Sequence, residues 1–212
     1  MFVGAKMKII FGTVVTFFVL FNSVSFAAPY GAIVINANNG EVLHCEKCDT
    51  KLQPAGLTKL LTLYIVFSKI ENGEMSLDEK VEVSRKASVE LPAKLGLMPG
   101  QKIRVRYLIR STGVMGSNDT STALAEHVSG SEVEFSELMN LTAKQLGMKN
   151  SSFLNAHGLT QTGHLSTARD MAIVLRALYS DFPDYFHLFG RRLASAGIKK
   201  VKHNGVRFLA NY

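Results

Sequence analysis

From Leu57 to Ile70 the chain is apolar on nearly every side of a helical wheel, and Asn72-Gly73 closes the run. A surface helix of a globular protein carries one apolar stripe, whereas a helix apolar all round is buried. The fold must therefore pack other elements around this segment. Lys59 lies near its start. Burial disfavours an ammonium charge and lowers its pKa, so a lysine placed there needs a partner or a chemical task.

The flanking sequence supplies strands before this helix and more helices after it. Tyr30 to Ala37 is rich in β-formers, Asn39-Gly40 is a hairpin signal, and Glu41 to Glu46 reads as the returning strand. Val81 with Val83, and Ile103 with Val105, alternate with polar residues and predict two short strands, with Pro99-Gly100 turning into the second. Ser131-Glu132-Val133-Glu134 is a capping box for a helix whose inner face is Phe135, Leu138, Met139, Thr142 and Leu146. Thr167 to Asp170 caps another, with Met171, Val174, Leu175 and Leu178 on its inner face. The order predicts an α+β domain.

With 212 residues, 47% of them apolar, the chain can bury one core. The formal net charge of +7 is scattered, with Lys199, Lys200 and Lys202 the densest group, and no basic helix or aromatic-interleaved patch points to nucleic acid. Lys6 and Lys8, the apolar run Ile9 to Val24, and Ser25-Phe26-Ala27 together read as an export signal. Cleavage after Ala27 is expected, leaving a mature chain that starts at Ala28 in the periplasm or cell envelope. A location at the membrane periphery stays open. Cys45 and Cys48 are the only cysteines. They pair, stay reduced for redox work, or join His44 and a distant fourth ligand around zinc. His127 sits on a helix next to Glu126, His157 lies in the turn Asn155 to Leu159, and His164, His187 and His203 show no triad companions at legible spacing. No phosphate-cradling loop, metal pattern or paired carboxylate is visible, so no cofactor and no metal is expected.

Five stretches carry a resemblance when taken in order: Pro54 to Lys59, Gly116-Ser117-Asn118-Asp119, Ala123 to Val128, Leu146 to Asn150, and Ser166 to Ala172. Over nearly all of Tyr30 to Tyr212 the chain resembles the D-alanyl-D-alanine carboxypeptidases, low-molecular-weight penicillin-binding serine peptidases. The resemblance implies a β-lactamase/transpeptidase-like fold over residues 28–212, incomplete at its C-terminus: a sheet flanked by helices, a helical lobe, and a cleft between them. It implies a peptidoglycan stem peptide ending in D-Ala-D-Ala as substrate. In that family the serine of a Ser-x-x-Lys motif is acylated by substrate, and the lysine one turn on takes its proton. Lys59 matches the lysine, and so the general base. Asn118 matches the asparagine of a second motif, Ser-x-Asn. A third motif, Lys-Thr-Gly, binds the substrate carboxylate.

Three departures follow. Gly56 stands where the nucleophilic serine belongs. Gly116 stands at the serine of the second motif, with Ser117 one place late. Lys-Thr-Gly is absent from the sequence, and His203-Asn204-Gly205 only looks like it. Removing a nucleophile of this kind lowers turnover by on the order of a millionfold. The chain is therefore expected to be an exported family member impaired in catalysis, with β-lactams as ligands only if a nucleophile survives. A substitute nucleophile would be Thr58 or, with its lobe facing the cleft, Ser117. A non-catalytic wall-peptide-binding protein and a decayed gene product are the remaining alternatives.

Overall fold

The structure is a computed structural model and describes residues 29–199 and 206–210. The expected export signal, the lysines at 200 and 202, and the His203-Asn204-Gly205 stretch lie outside the described residues.

The chain opens with a hairpin, β1 (Ala32–Ile35) and β2 (Val42–Glu46), in the antiparallel register Ile33↔Cys45 and Val34↔His44. Its turn is local chemistry. The Asn36 side chain accepts from Asn38 N at 2.9 Å, and Gly40 takes the left-handed conformation, φ +78°, that closes it.

A short 3-10 turn, Ala55–Leu57, leads into α1 (Thr58–Glu71). Both long faces of α1 are covered. Leu63, Val66 and Phe67 enter one apolar cluster with Leu108, Leu124 and Leu178, while Leu61 and Ile65 enter a second with Phe135, Met139, Phe153 and Val174. This accounts for the absence of a polar face: each side of α1 is the inside of something. Full burial of one such side chain stabilises the fold by roughly 1.5–3 kcal/mol.

β3 (Lys80–Glu82), α2 (Arg85–Ser88) and β4 (Lys102–Arg104) form the next unit, with Val81 opposite Ile103. Val105 does not continue β4 as its alternation predicts; it starts α3 (Val105–Arg110). Its side chain stays in the core, and the first backbone N–H groups of α3, which have no partner inside a helix, are taken by Glu79 O at 3.1 Å and Leu77 O at 3.0 Å. Tertiary hydrogen bonding thus stops the strand where side-chain alternation does not. A wider π-type turn, Ser111–Met115, ends at Gly116 with φ +67°, and α4 (Asn118–Ser129) begins at once.

α5 (Glu132–Leu146) is capped by Ser131, which accepts from Glu134 N at 3.2 Å, as the capping box predicts. Phe135, Met139 and Ala143 are buried, with Leu138, Thr142 and Leu146 at the margin. α6 (Ala168–Asp181) is capped by Thr167. Met171, Val174 and Leu178 are buried, but Leu175 is 42% exposed. It lines an apolar groove of about 690 Å³ between β1 and α6 instead of the core. α7 (Pro183–Phe186) leads to β5 (Leu193–Lys199) and β6 (Val206–Ala210), an antiparallel pair. No helix among the described residues is long and apolar enough to cross a membrane.

Candidate active site

Lys59 sits in the first turn of α1, 7% exposed. Its Nζ donates to Asn118 Oδ1 at 2.8 Å and to the His157 carbonyl at 2.6 Å. Burial lowers its pKa from 10.5 to about 8. The two acceptors fix the direction of the amine.

Both acceptors are held from behind. Asn118 Nδ2 donates to Leu91 O at 2.9 Å and Pro92 O at 3.2 Å, which assigns Oδ1 to the lysine. The neighbouring Asp119 carboxylate, fully buried, accepts from the backbone of Leu95, Gly96 and Leu97 at 2.8–3.0 Å and fastens that strand of chain to the start of α4. On the other side, Gly158 lets the turn bearing His157 press against the start of α1. A Cβ at Gly158 would lie 1.8 Å from Ala55 O.

His157 itself is clamped. Leu159 N donates to its Nδ1 at 3.1 Å, so Nε2 carries the hydrogen. Nε2 faces Glu132 Oε1 at 3.3 Å and Glu90 Oε2 at 3.6 Å. Burial pushes the Glu132 carboxyl up, but hydrogen bonds from His157, Lys86 and the Ala156 backbone outweigh it and hold the pKa at about 2. Glu90, Glu132 and His157 are close enough together to bind a cation. However, Nε2 is already protonated, and Lys86 Nζ lies 2.5 Å from Glu132 Oε2, so the cluster is an ion-pair clamp behind the lysine's carbonyl partner.

Gly56 and Lys59 line one cavity of about 270 Å³ with Thr112, Gly113, Gly116 and Phe189. A Cβ built on Gly56 meets nothing within 4 Å. The position has room for a side chain and offers none. The two candidate substitutes face elsewhere. Thr58 is fully buried with Oγ1 2.9 Å from His164 Nε2. Leu154 N donates to His164 Nδ1 at 3.0 Å, so Nε2 donates to the threonine. Burial is the largest cause that lowers the His164 pKa. Ser117, expected to face the cleft, is fully buried instead, with Oγ 2.7 Å from Ser111 Oγ. The left-handed Gly116 turns the chain there, and Gly116, not Ser117, lines the cavity.

The structure brings Gly56, Lys59 and Asn118 to one place. Nothing in the sequence showed that His157, Glu132 and Gly158 would brace them. Asn155-Ala156-His157-Gly158 was the available signal, but a backbone carbonyl as the working group leaves no mark on residue type. Glu132 was legible only as part of a helix cap.

A lysine and an asparagine thus converge beside the first turn of a buried helix, next to a glycine that shares the lysine's cavity wall. The family model for D-alanyl-D-alanine carboxypeptidase matches residues 24–206. The carboxypeptidase DacF of Bacillus subtilis is 37% identical over 147 residues, covering 69% of this chain and 38% of DacF. DacA of Escherichia coli is 33% identical over 181 residues, covering 82% of this chain and 45% of DacA. Among solved structures, DacD from Francisella tularensis superposes with a TM-score of 0.76 at 31% identity, over 82% of this chain and 43% of that one. Penicillin-binding protein 5 from Haemophilus influenzae gives 0.78 at 28% identity, over 88% of this chain and 54% of that one. The chain belongs to the D-alanyl-D-alanine carboxypeptidase family and has its transpeptidase/β-lactamase-like fold. It spans less than half the length of the two curated relatives, at 38% and 45%.

Proposed function

We propose that this chain is an exported member of the family that engages peptidoglycan stem peptides ending in D-Ala-D-Ala without being acylated by them. One observation carries the reading: Lys59 is held between Asn118 Oδ1 and His157 O beside a Gly56 with open space where a nucleophile's side chain would stand. A base without an attached hydroxyl has nothing to deprotonate on the protein. The pseudoenzyme reading draws further support from Ser117 and Thr58, whose hydroxyls are both engaged with other side chains. Placement in the periplasm or envelope rests on the pattern of residues 1–27.

The test is labelled penicillin. The purified chain is expected to form no covalent adduct, and Gly56→Ser is expected to fold with the hydroxyl accommodated. An adduct on the unaltered chain, mapped by mass spectrometry, would overturn the proposal and name the nucleophile. A D-Ala-D-Ala peptide that fails to bind in calorimetry would remove the binding half of it. N-terminal sequencing of the secreted product is expected to begin at Ala28.

A further inference from the structure

Cys45 and Cys48 are joined in a disulfide, with Cα atoms 5.4 Å apart and a sequence separation of 3. A bridge over so short a loop restrains little of the unfolded chain. Its two sulfurs have different surroundings. Cys45 lies on β2, exposed along its whole length, while Cys48 is 1% exposed.

A cation attends both. Arg169, in the first turn of α6, brings Nη2 to 3.1 Å from Cys48 Sγ and 3.8 Å from Cys45 Sγ. Its backbone N–H donates to Cys48 O at 3.0 Å, which fixes Arg169 beside the bridge. Asp49 opposes this cation's charge, with Oδ2 3.6 Å from Cys48 Sγ, but the same carboxylate is bound by Arg169 Nε at 2.7 Å and Nη2 at 3.0 Å. Partly exposed cysteines in electropositive surroundings are the reactive ones.

We propose that Cys45–Cys48 is a thiol–disulfide exchange site that accepts electrons from a dithiol. A thiolate of the dithiol attacks the exposed Cys45 Sγ. The S–S bond breaks, and the electron pair leaves on Cys48 Sγ, where the Arg169 guanidinium stabilises the thiolate. The dithiol's second sulfur then attacks its own first sulfur in the mixed disulfide, releasing the Cys45 thiolate. The dithiol is oxidised to a disulfide, and its two protons end on Cys45 and Cys48. The lower the leaving thiol's pKa, the faster this runs.

The experiment reads the folded chain. It is treated with millimolar dithiothreitol, quenched with an alkylating agent and weighed by mass spectrometry. Both cysteines are expected to be alkylated while the thermal transition remains intact, and Arg169→Ala is expected to slow opening by about threefold to tenfold. Cys48→Ser is expected to take a glutathione from oxidised glutathione onto Cys45, and Cys45→Ser to take none onto Cys48. A bridge that opens only on denaturation, or that opens at the same rate in Arg169→Ala, would overturn the proposal. If Arg169→Ala does not fold, equal glutathione uptake by the two cysteine variants overturns it alone.

Discussion

α1 and the β1–β2 hairpin are held to the molecule by different means. α1 is enclosed by two apolar clusters, one on each long face. The hairpin exposes every residue of β2, and Val34 on β1 is 52% exposed. Polar clips from α6 hold much of it in place. Arg176 donates to Ala37 O at 3.2 Å and Asn38 O at 3.1 Å, and Arg169 grips Asp49. The two regions therefore respond differently to salt. Lys59 is braced by burial on both sides, which salt does not screen. The hairpin depends on charged, half-exposed contacts, which salt weakens.

The contact that braces Lys59 is most sensitive at Gly158. Gly158→Ala forces a Cβ into Ala55 O at a φ of +86°, and a loss of about 3–5 kcal/mol in denaturant unfolding is expected. Leu61→Ala, inside α1, is expected to lower stability by about 2–5 kcal/mol, against about 0.5 kcal/mol or less for Val34→Ala in the hairpin. Similar losses at the two positions would show that the hairpin is part of the core after all.

Titration separates the braces themselves. Glu132, held at about 2 against an ordinary 4.5, contributes stability that is present above pH 4.5 and lost as pH falls towards 2. Lys59, lowered to about 8 from 10.5, gives a slope of the same sign in a different window. The unfolded chain binds more protons between those values, so stability is expected to rise with pH across that window. Glu132→Gln should flatten the acid limb, and Lys59→Met the alkaline one, each read from melts at a series of pH values. The smallest effect is expected at Arg176→Ala: faster amide exchange confined to residues 36–40, with a global melt changed by no more than about 0.5 kcal/mol.

Much of the fold was legible because its signals are local. Ser131 and Thr167 cap the helices they mark, Asn39-Gly40 turns the hairpin, and the all-round apolar run is α1. Val105 and Leu175 went the other way, since alternation and helical spacing report which residues are apolar, not which neighbours are present to cover them. In the site, Lys59 and Asn118 carried their chemistry in their side chains and could be named. His157 contributes a carbonyl and Gly158 the lack of a side chain, and neither property shows until two distant segments touch.

Residue type alone put Lys59 on a buried helix, and the family resemblance marked Asn118 and Gly56, because both readings need only the covalent chain. Only the tertiary structure decided that Ser117 turns inward, that His157 completes the lysine's shell, and that Arg169 lies against the disulfide. Those outcomes depend on distances between residues far apart in the chain, which are set when apolar burial and backbone hydrogen bonding are satisfied together.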